Sequence, residues 1–142
     1  MHLYKGCLES MRIYLTHCSK EKEPSLEGTD IAVPPDRLYV SPSIQQFMKR
    51  CRSKKVSWGV LSDLHGVFLS DECRTWYEKH PDTVTDEEEA HVLESFSDKL
   101  SAYAEIFFYV RPSSCHPFYR RILRRTSLAD RVQTFQDIGR IK

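Results

Sequence analysis

The run Arg12-Ile13-Tyr14-Leu15-Thr16-His17-Cys18-Ser19-Lys20 is apolar or β-branched through its centre and turns polar at His17. A strand wetted on one face would alternate apolar with polar residues. A near-continuous apolar centre is instead expected of a parallel strand covered on both faces. Two further runs have the same character, Val56-Ser57-Trp58-Gly59-Val60-Leu61 and Ile106-Phe107-Phe108-Tyr109-Val110. Strands are therefore predicted over 12–16, 56–61 and 106–110.

Helical patterns lie between these strands. Ser41-Pro42 offers an N-cap followed by proline at the first helical position, and Ile44, Phe47, Met48 and Cys51 form one apolar stripe behind it. Thr85-Asp86-Glu87-Glu88 reads as a capping box with acidic residues at the positive helix end. Val92, Leu93, Phe96, Leu100 and Tyr103 supply that helix's buried face, so it is expected to run to about residue 103. A third helix opens at His116-Pro117, with Phe118, Ile122 and Leu123 facing inward. Weaker periodicity in Val132, Phe135 and Ile138 predicts one more docked helix over 128–142.

Strands alternating with helices indicate an α/β fold. The expected architecture is a three-layer sandwich: a small, mostly parallel sheet of at least three strands with helices on both faces. A length of 142 residues fits one domain over 1–142 with a substantial core. Pro24, Gly28, Pro34 and Pro35 make 21–37 a long loop, of a kind often functional or mobile.

Composition narrows the function classes. Hydrophobic residues at 40% and charged residues at 29% are ordinary for a globular protein and argue against disorder. Five cysteines, widely spaced and without a C-x-x-C pair, argue against a disulfide framework and a thiolate zinc site. No apolar leader opens the chain, and the longest apolar stretch, Ile106–Val110, is too short to span a bilayer. The expectation is a cytoplasmic protein with no membrane contact, metal or cofactor. His65, His80, His91 and His116 lack H-E-x-x-H spacing, and no dinucleotide or P-loop glycine motif is present.

In open parallel sheets, ligands bind outside the carboxyl ends of the strands. Here the three predicted ends read His17-Cys18-Ser19-Lys20, Ser62-Asp63-Leu64-His65-Gly66 and Arg111-Pro112-Ser113-Ser114-Cys115-His116. A parallel sheet brings them to one rim. Lys20 and His65 are the candidate catalytic residues: the lysine as anion holder or nucleophile, the histidine as proton donor and acceptor near neutral pH. Ser19, Tyr39, Ser41, Ser62, Asp63, Arg111, Ser113, Ser114 and His116 are the candidate ligand contacts, the last three set where a helix N-terminus favours an anion. Each also has a plainer reading as turn or helix-start chemistry.

The net charge of +1 hides a strong segmentation. Residues 1–70 carry net +3, residues 71–105 net −8 and residues 106–142 net +6. This excludes a uniformly basic nucleic-acid binder but not a locally basic one. Lys49, Arg50, Arg52, Lys54 and Lys55 end the first helix, and Arg120, Arg121, Arg124 and Arg125 decorate the third. They read either as cations complementing helix dipoles or as a phosphate-backbone contact surface. The acidic segment is a solvated face or the partner of the basic segments in a homodimer.

The same residues carry a resemblance. Ile13 to Lys22, Leu38-Tyr39-Val40-Ser41-Pro42 and Trp58 to Gly66 resemble a family of small uncharacterised prokaryotic proteins. Their pattern is a strand ending in Cys-Ser/Gly-x-x-Lys, a Leu-Tyr-x-Ser helix start and a strand ending in Leu-Ser-x-x-His/Tyr-Gly. Trp76-Tyr77-Glu78-Lys79-His80-Pro81-Asp82 onward is similar to an archaeal subgroup, and the match covers about 12–120. More distantly, the pattern is similar to the uracil-DNA-glycosylase-like domain of archaeal tRNA 7-deazaguanine-modifying enzymes. That resemblance implies an α/β sandwich and a lysine that carries chemistry, for which Lys20 and Lys22 are the matching positions. The longer Pro-Cys-…-Lys-Pro-Tyr motif is absent, since His17 precedes Cys18 and Glu23-Pro24 follows Lys22. The leading expectation is a protein that binds a nucleotide, nucleobase or other anionic ligand at the rim, in nucleic-acid (tRNA) modification. A non-catalytic interaction domain, and a small-molecule hydrolase or transferase using the same rim, are the alternatives.

Overall fold

The computed structural model describes residues 11–111 and 115–142. Five strands form one sheet: β1 (Arg12–His17), β2 (Trp58–Ser62), β3 (Gly66–Leu69), β4 (Glu105–Tyr109) and β5 (Val132–Phe135), in the order β3-β2-β1-β4-β5. All neighbours are parallel except the β2–β3 hairpin. The helices are α1 (Pro35–Leu38, a single turn), α2 (Pro42–Lys54), α3 (Asp86–Leu100) and α4 (Pro117–Arg125). The result is the expected α/β sandwich of three layers.

The central strand explains itself. Residues of β1 are buried from Ile13 to His17, because both faces are covered. On one face, Tyr14 stacks on Phe107 and Tyr109 stacks on Phe47 of α2, with ring centroids 5.2 and 5.8 Å apart. On the other, His17 lies against Phe108 and against Tyr119 of α4. There α3 also packs, with Ser95 Oγ accepting the Val67 amide at 3.0 Å. The predicted stripe Ile44, Phe47, Met48 and Cys51 is fully buried in α2. A side chain such as Phe47, removed wholly from water, contributes about 1.5–3 kcal/mol.

Local chemistry sets the connections. Thr85 and Glu88 form the reciprocal capping box that starts α3, which ends at Leu100 rather than near 103. The hairpin turns on Ser62, whose Oγ accepts the amides of Leu64 and His65, and on Gly66 at φ +72°. A Cβ at Gly66 would fall 2.5 Å from Ser95 Cβ, so both the backbone and the close approach of α3 require glycine there. The 21–37 segment is irregular apart from a 3₁₀ turn at Pro24–Leu26 and the start of α1. Two bridges hold it, Lys22 to Tyr39 and Val33 to Arg74.

The tail departs from expectation. Residues 128–142 form no docked helix but a 3₁₀ turn at Ala129–Arg131, strand β5 and a second 3₁₀ turn at Ile138–Arg140. The three-residue spacing of Val132, Phe135 and Ile138 imitates a helical stripe. The open edge of β4 decides otherwise, because unpaired strand amides and carbonyls there are satisfied by a fifth parallel strand. Strand β3 is also additional to the three predicted.

Candidate ligand-binding cleft

The β1–α2 connection folds back on itself at the carboxyl end of the sheet. Glu23 N–H donates to Leu38 carbonyl and Val40 N–H to Glu21 carbonyl, so Lys22 is held beside Tyr39, close to the start of α2. Together with the ends of β2 and β4, this encloses a cleft of about 860 Å³. Its remaining wall is a strap, Trp76 to Pro81. Lys79 Nζ ties the strap to Glu88 of α3 at 3.0 Å, and Asp82 ties it to His116 Nε2 of α4 at 2.8 Å. His116 Nδ1 accepts the Phe118 amide, which leaves Nε2 to donate to Asp82.

Of the residues predicted from sequence, Ser19, Lys20, Ser41, Asp63, Arg111 and His116 line this cleft together. Lys20 stands exposed at its mouth. Tyr39 and Ser62 lie beneath the floor, fully buried and joined through the Tyr77 hydroxyl at 2.6 and 2.8 Å. His65 is outside. Its ring meets Tyr77 edge-on at 4.8 Å, and burial, helped by Arg74 and Lys99, pulls its pKa down to about 4. Ser113 and Ser114 fall outside the described residues.

Lys22, which the resemblance matches beside Lys20 as a chemistry-bearing lysine, lines the cleft, and so do Cys18, Trp76, Tyr77 and Tyr119, which are not among the sequence candidates for catalysis or ligand contact. Lys22 is only 9% exposed, its ammonium lies 4.4 Å from the Tyr77 ring centroid, and among the described residues its one hydrogen bond is a long 3.4 Å contact to the Lys20 carbonyl. Burial lowers its pKa, while Cys18, Asp63 and Glu78 work in the opposite direction. Cys18, a buried thiol, contacts Tyr119 Oη at 3.0 Å and donates to Asp63 Oδ1 at 3.7 Å. Burial first, then the nearby Asp63 carboxylate, keep this thiol protonated. Asp63 itself is raised by burial and drawn back by Lys22. The cluster of Lys22, Asp63, Cys18 and Tyr119 thus holds an acid–base pair in which each member is pushed toward its neutral form. Trp76 packs half-buried against the core and also forms part of the cleft wall, whereas Trp58 is core. The spacing Cys18-x-x-x-Lys22 was the visible signal for the lysine. Nothing local in Tyr77 or Tyr119 marks them, since they reach the site only through the strap and α4.

The basic helix residues lie elsewhere. Helix α2 begins at the cleft and runs 13 residues away from it, which sets Lys54 and Lys55 roughly 20 Å from the rim. Arg50 donates to the carbonyls of Ile141 and Gly139, and Arg52 pairs with Asp36. Lys49, Lys54, Arg120 and Arg124 are exposed. Arg121 and Arg125 both bind Glu89 of α3, so part of the acidic and basic segmentation is met within the chain. Among the described residues, no group of three or more His, Cys, Asp or Glu could hold a metal ion, and no helix is long and apolar enough to cross a membrane.

No protein-family model matches this sequence, and neither does any curated protein. Among solved structures, the chain is similar to the crystal structure of AF0587, a protein of unknown function, at 12% identity and a TM-score of 0.45. The match covers 100% of this chain and 46% of that one, so this chain spans less than half of that protein's length.

Proposed function

We propose that the cleft binds a nucleobase or nucleotide and serves its chemical modification, with tRNA as the setting. The observation that carries this reading is Lys22, a buried ammonium on a cleft wall whose only hydrogen bond among the described residues is long. Its remaining donors are free for a ring carbonyl or ring nitrogen. Trp76 supplies a flat apolar wall of the kind on which a base stacks. A volume of about 860 Å³ is in the range of small-ligand sites. Lys22 and Asp63, each pulled toward neutrality, are suited to give and take a proton from the bound ring. Lys22 is a stronger candidate for this than Lys20, which is exposed, and Asp63 stronger than His65, which does not line the cleft.

A thermal-shift screen of nucleobases, nucleosides and nucleotides tests this, because a ligand of the folded state raises apparent stability by mass action. At least one such compound is expected to stabilise the protein. Lys22→Met, which keeps the aliphatic stem, is expected to abolish that shift while its own melting temperature stays within a few degrees. Absence of any such ligand, or undiminished binding by the variant, would favour an interaction domain instead.

A further inference from the structure

The second buried cation of the cleft is held differently from Lys22. Arg111 is 3% exposed, and its Nη1 donates to Thr16 Oγ1 at 3.0 Å and to the His17 carbonyl at 2.6 Å. Nη2 reaches the Cys18 carbonyl at 3.3 Å. These acceptors are all neutral. Nε has no partner, and among the described residues no carboxylate lies within ion-pair distance. A guanidinium does not lose its proton to escape burial, so its charge stays uncompensated.

The start of α2 is incomplete in a matching way. Thr85 caps α3 and His116 caps α4 through side-chain bonds to first-turn amides. Ser41, the N-cap of α2, makes no such bond. Among the described residues its Oγ has no partner, and the residue is only 9% exposed. Ser41 and Arg111 line the same cleft. Thr16, which receives Arg111, is the register partner of Tyr109, and the Tyr109 ring stacks on Phe47 of α2.

We infer that this end of the cleft is a phosphate subsite, formed by Arg111, Ser41 and the amino end of α2, and that the ligand is a nucleoside monophosphate rather than a free base. The inference rests on reading the cleft as a nucleotide site. A helix amino end, an unpartnered hydroxyl and a guanidinium with an unpartnered Nε together offer several donors and a positive charge, which suits the three oxygens of a phosphate ester better than the two of a carboxylate. Asp63 also lines the cleft, where its carboxyl accepts from the Cys18 thiol at 3.7 Å and lies in the field of the Lys22 charge.

Isothermal titration with inorganic phosphate, acetate, four nucleosides and their 5′-monophosphates tests the subsite on the whole chain. Phosphate is expected to bind, and at least one monophosphate is expected to bind about tenfold more tightly than its nucleoside. Arg111→Met should remove that advantage and leave the nucleoside unaffected. Ser41→Ala, which deletes a hydroxyl that caps nothing, should weaken the monophosphate roughly threefold. If Arg111→Met does not fold, Arg111→Lys and Ser41→Ala carry the test, since both keep the surrounding packing. Equal binding of nucleoside and monophosphate overturns the subsite and leaves the nucleobase reading standing. Acetate binding as well as phosphate, or phosphate binding indifferent to both positions, also overturns it. Phosphate binding that depends on Arg111, with no nucleoside or monophosphate bound more tightly than phosphate itself, retains the anion site and overturns the nucleotide reading.

Discussion

Glu89 and Arg111 are both buried charges, 5% and 3% exposed, yet the fold treats them in opposite ways. Glu89, in the first turn and a half of α3, receives Arg121 through two nitrogens at 2.9 and 2.8 Å and Arg125 through a third. The Arg121 hydrogen bonds hold its carboxyl below the usual range against the opposing effect of burial. Arg111, at the carboxyl end of β4, receives neutral acceptors and no counter-charge. A buried charge that the chain completes by itself serves the fold, here by clamping α3 to α4. One left open is, under the phosphate-subsite proposal, available to an anion that enters the cleft.

The largest expected effect is on the completed side. Arg121→Ala combined with Arg125→Ala leaves the Glu89 carboxylate without partners and should cost about 2–3 kcal/mol, less than a fully buried pair because both arginines are partly exposed. In a protein of this size that lowers the melting temperature by roughly 5–10 °C, measurable by denaturant and thermal unfolding. A loss near zero would break the comparison.

Acid should act next, through the histidine that touches Arg111's end of β1. His17 is 1% exposed, both its ring nitrogens lack partners among the described residues, and burial followed by the Arg111 charge brings its pKa down to about 3 from an ordinary 6.5. The unfolded chain therefore takes up the proton first. Stability from neutral His17 is full above 6.5 and is lost as pH falls toward 3, with about 2 kcal/mol gone by pH 5. His65 adds a loss of the same sign. Urea melts at pH 7 and pH 5 should show this slope, reduced in His17→Phe. An unchanged slope in the variant would remove His17 from the account.

The smallest effect on stability belongs to the open side. Arg111→Met relieves an uncompensated buried charge as it gives up three hydrogen bonds, so the change should lie within about 1 kcal/mol of zero. A loss near that of the double arginine variant would mean that Arg111 is structural, and the contrast with Glu89 would fall.

Local patterns were legible wherever the physics is local. The Thr85 capping box, the Ser41-Pro42 helix start and the continuous apolar centre of β1 each state their own conformation through near-neighbour sterics and hydrogen bonding. Convergence of the strand ends also followed from parallel pairing, which needs only the right type of strand. The 132–135 segment was misread because its spacing is compatible with either period, and the open edge of β4 that chooses between them lies some 25 residues away. His65 and Lys22 show the same limit within the site. Both stand a few residues past a strand end, but a tight hairpin turns one away while a bridge to Tyr39 folds the other in.

By itself, the sequence determined an α/β sandwich, a polar rim at the strand ends and a charge distribution split into blocks, because periodicity, capping and composition act over a few residues. Tertiary structure decided which rim residues face one another, which of the blocks' charges cancel, and which are left without a partner. Burial and pairing depend on what the rest of the chain brings alongside, so the contrast between Glu89 and Arg111 arises only once the sheet is closed by its helices.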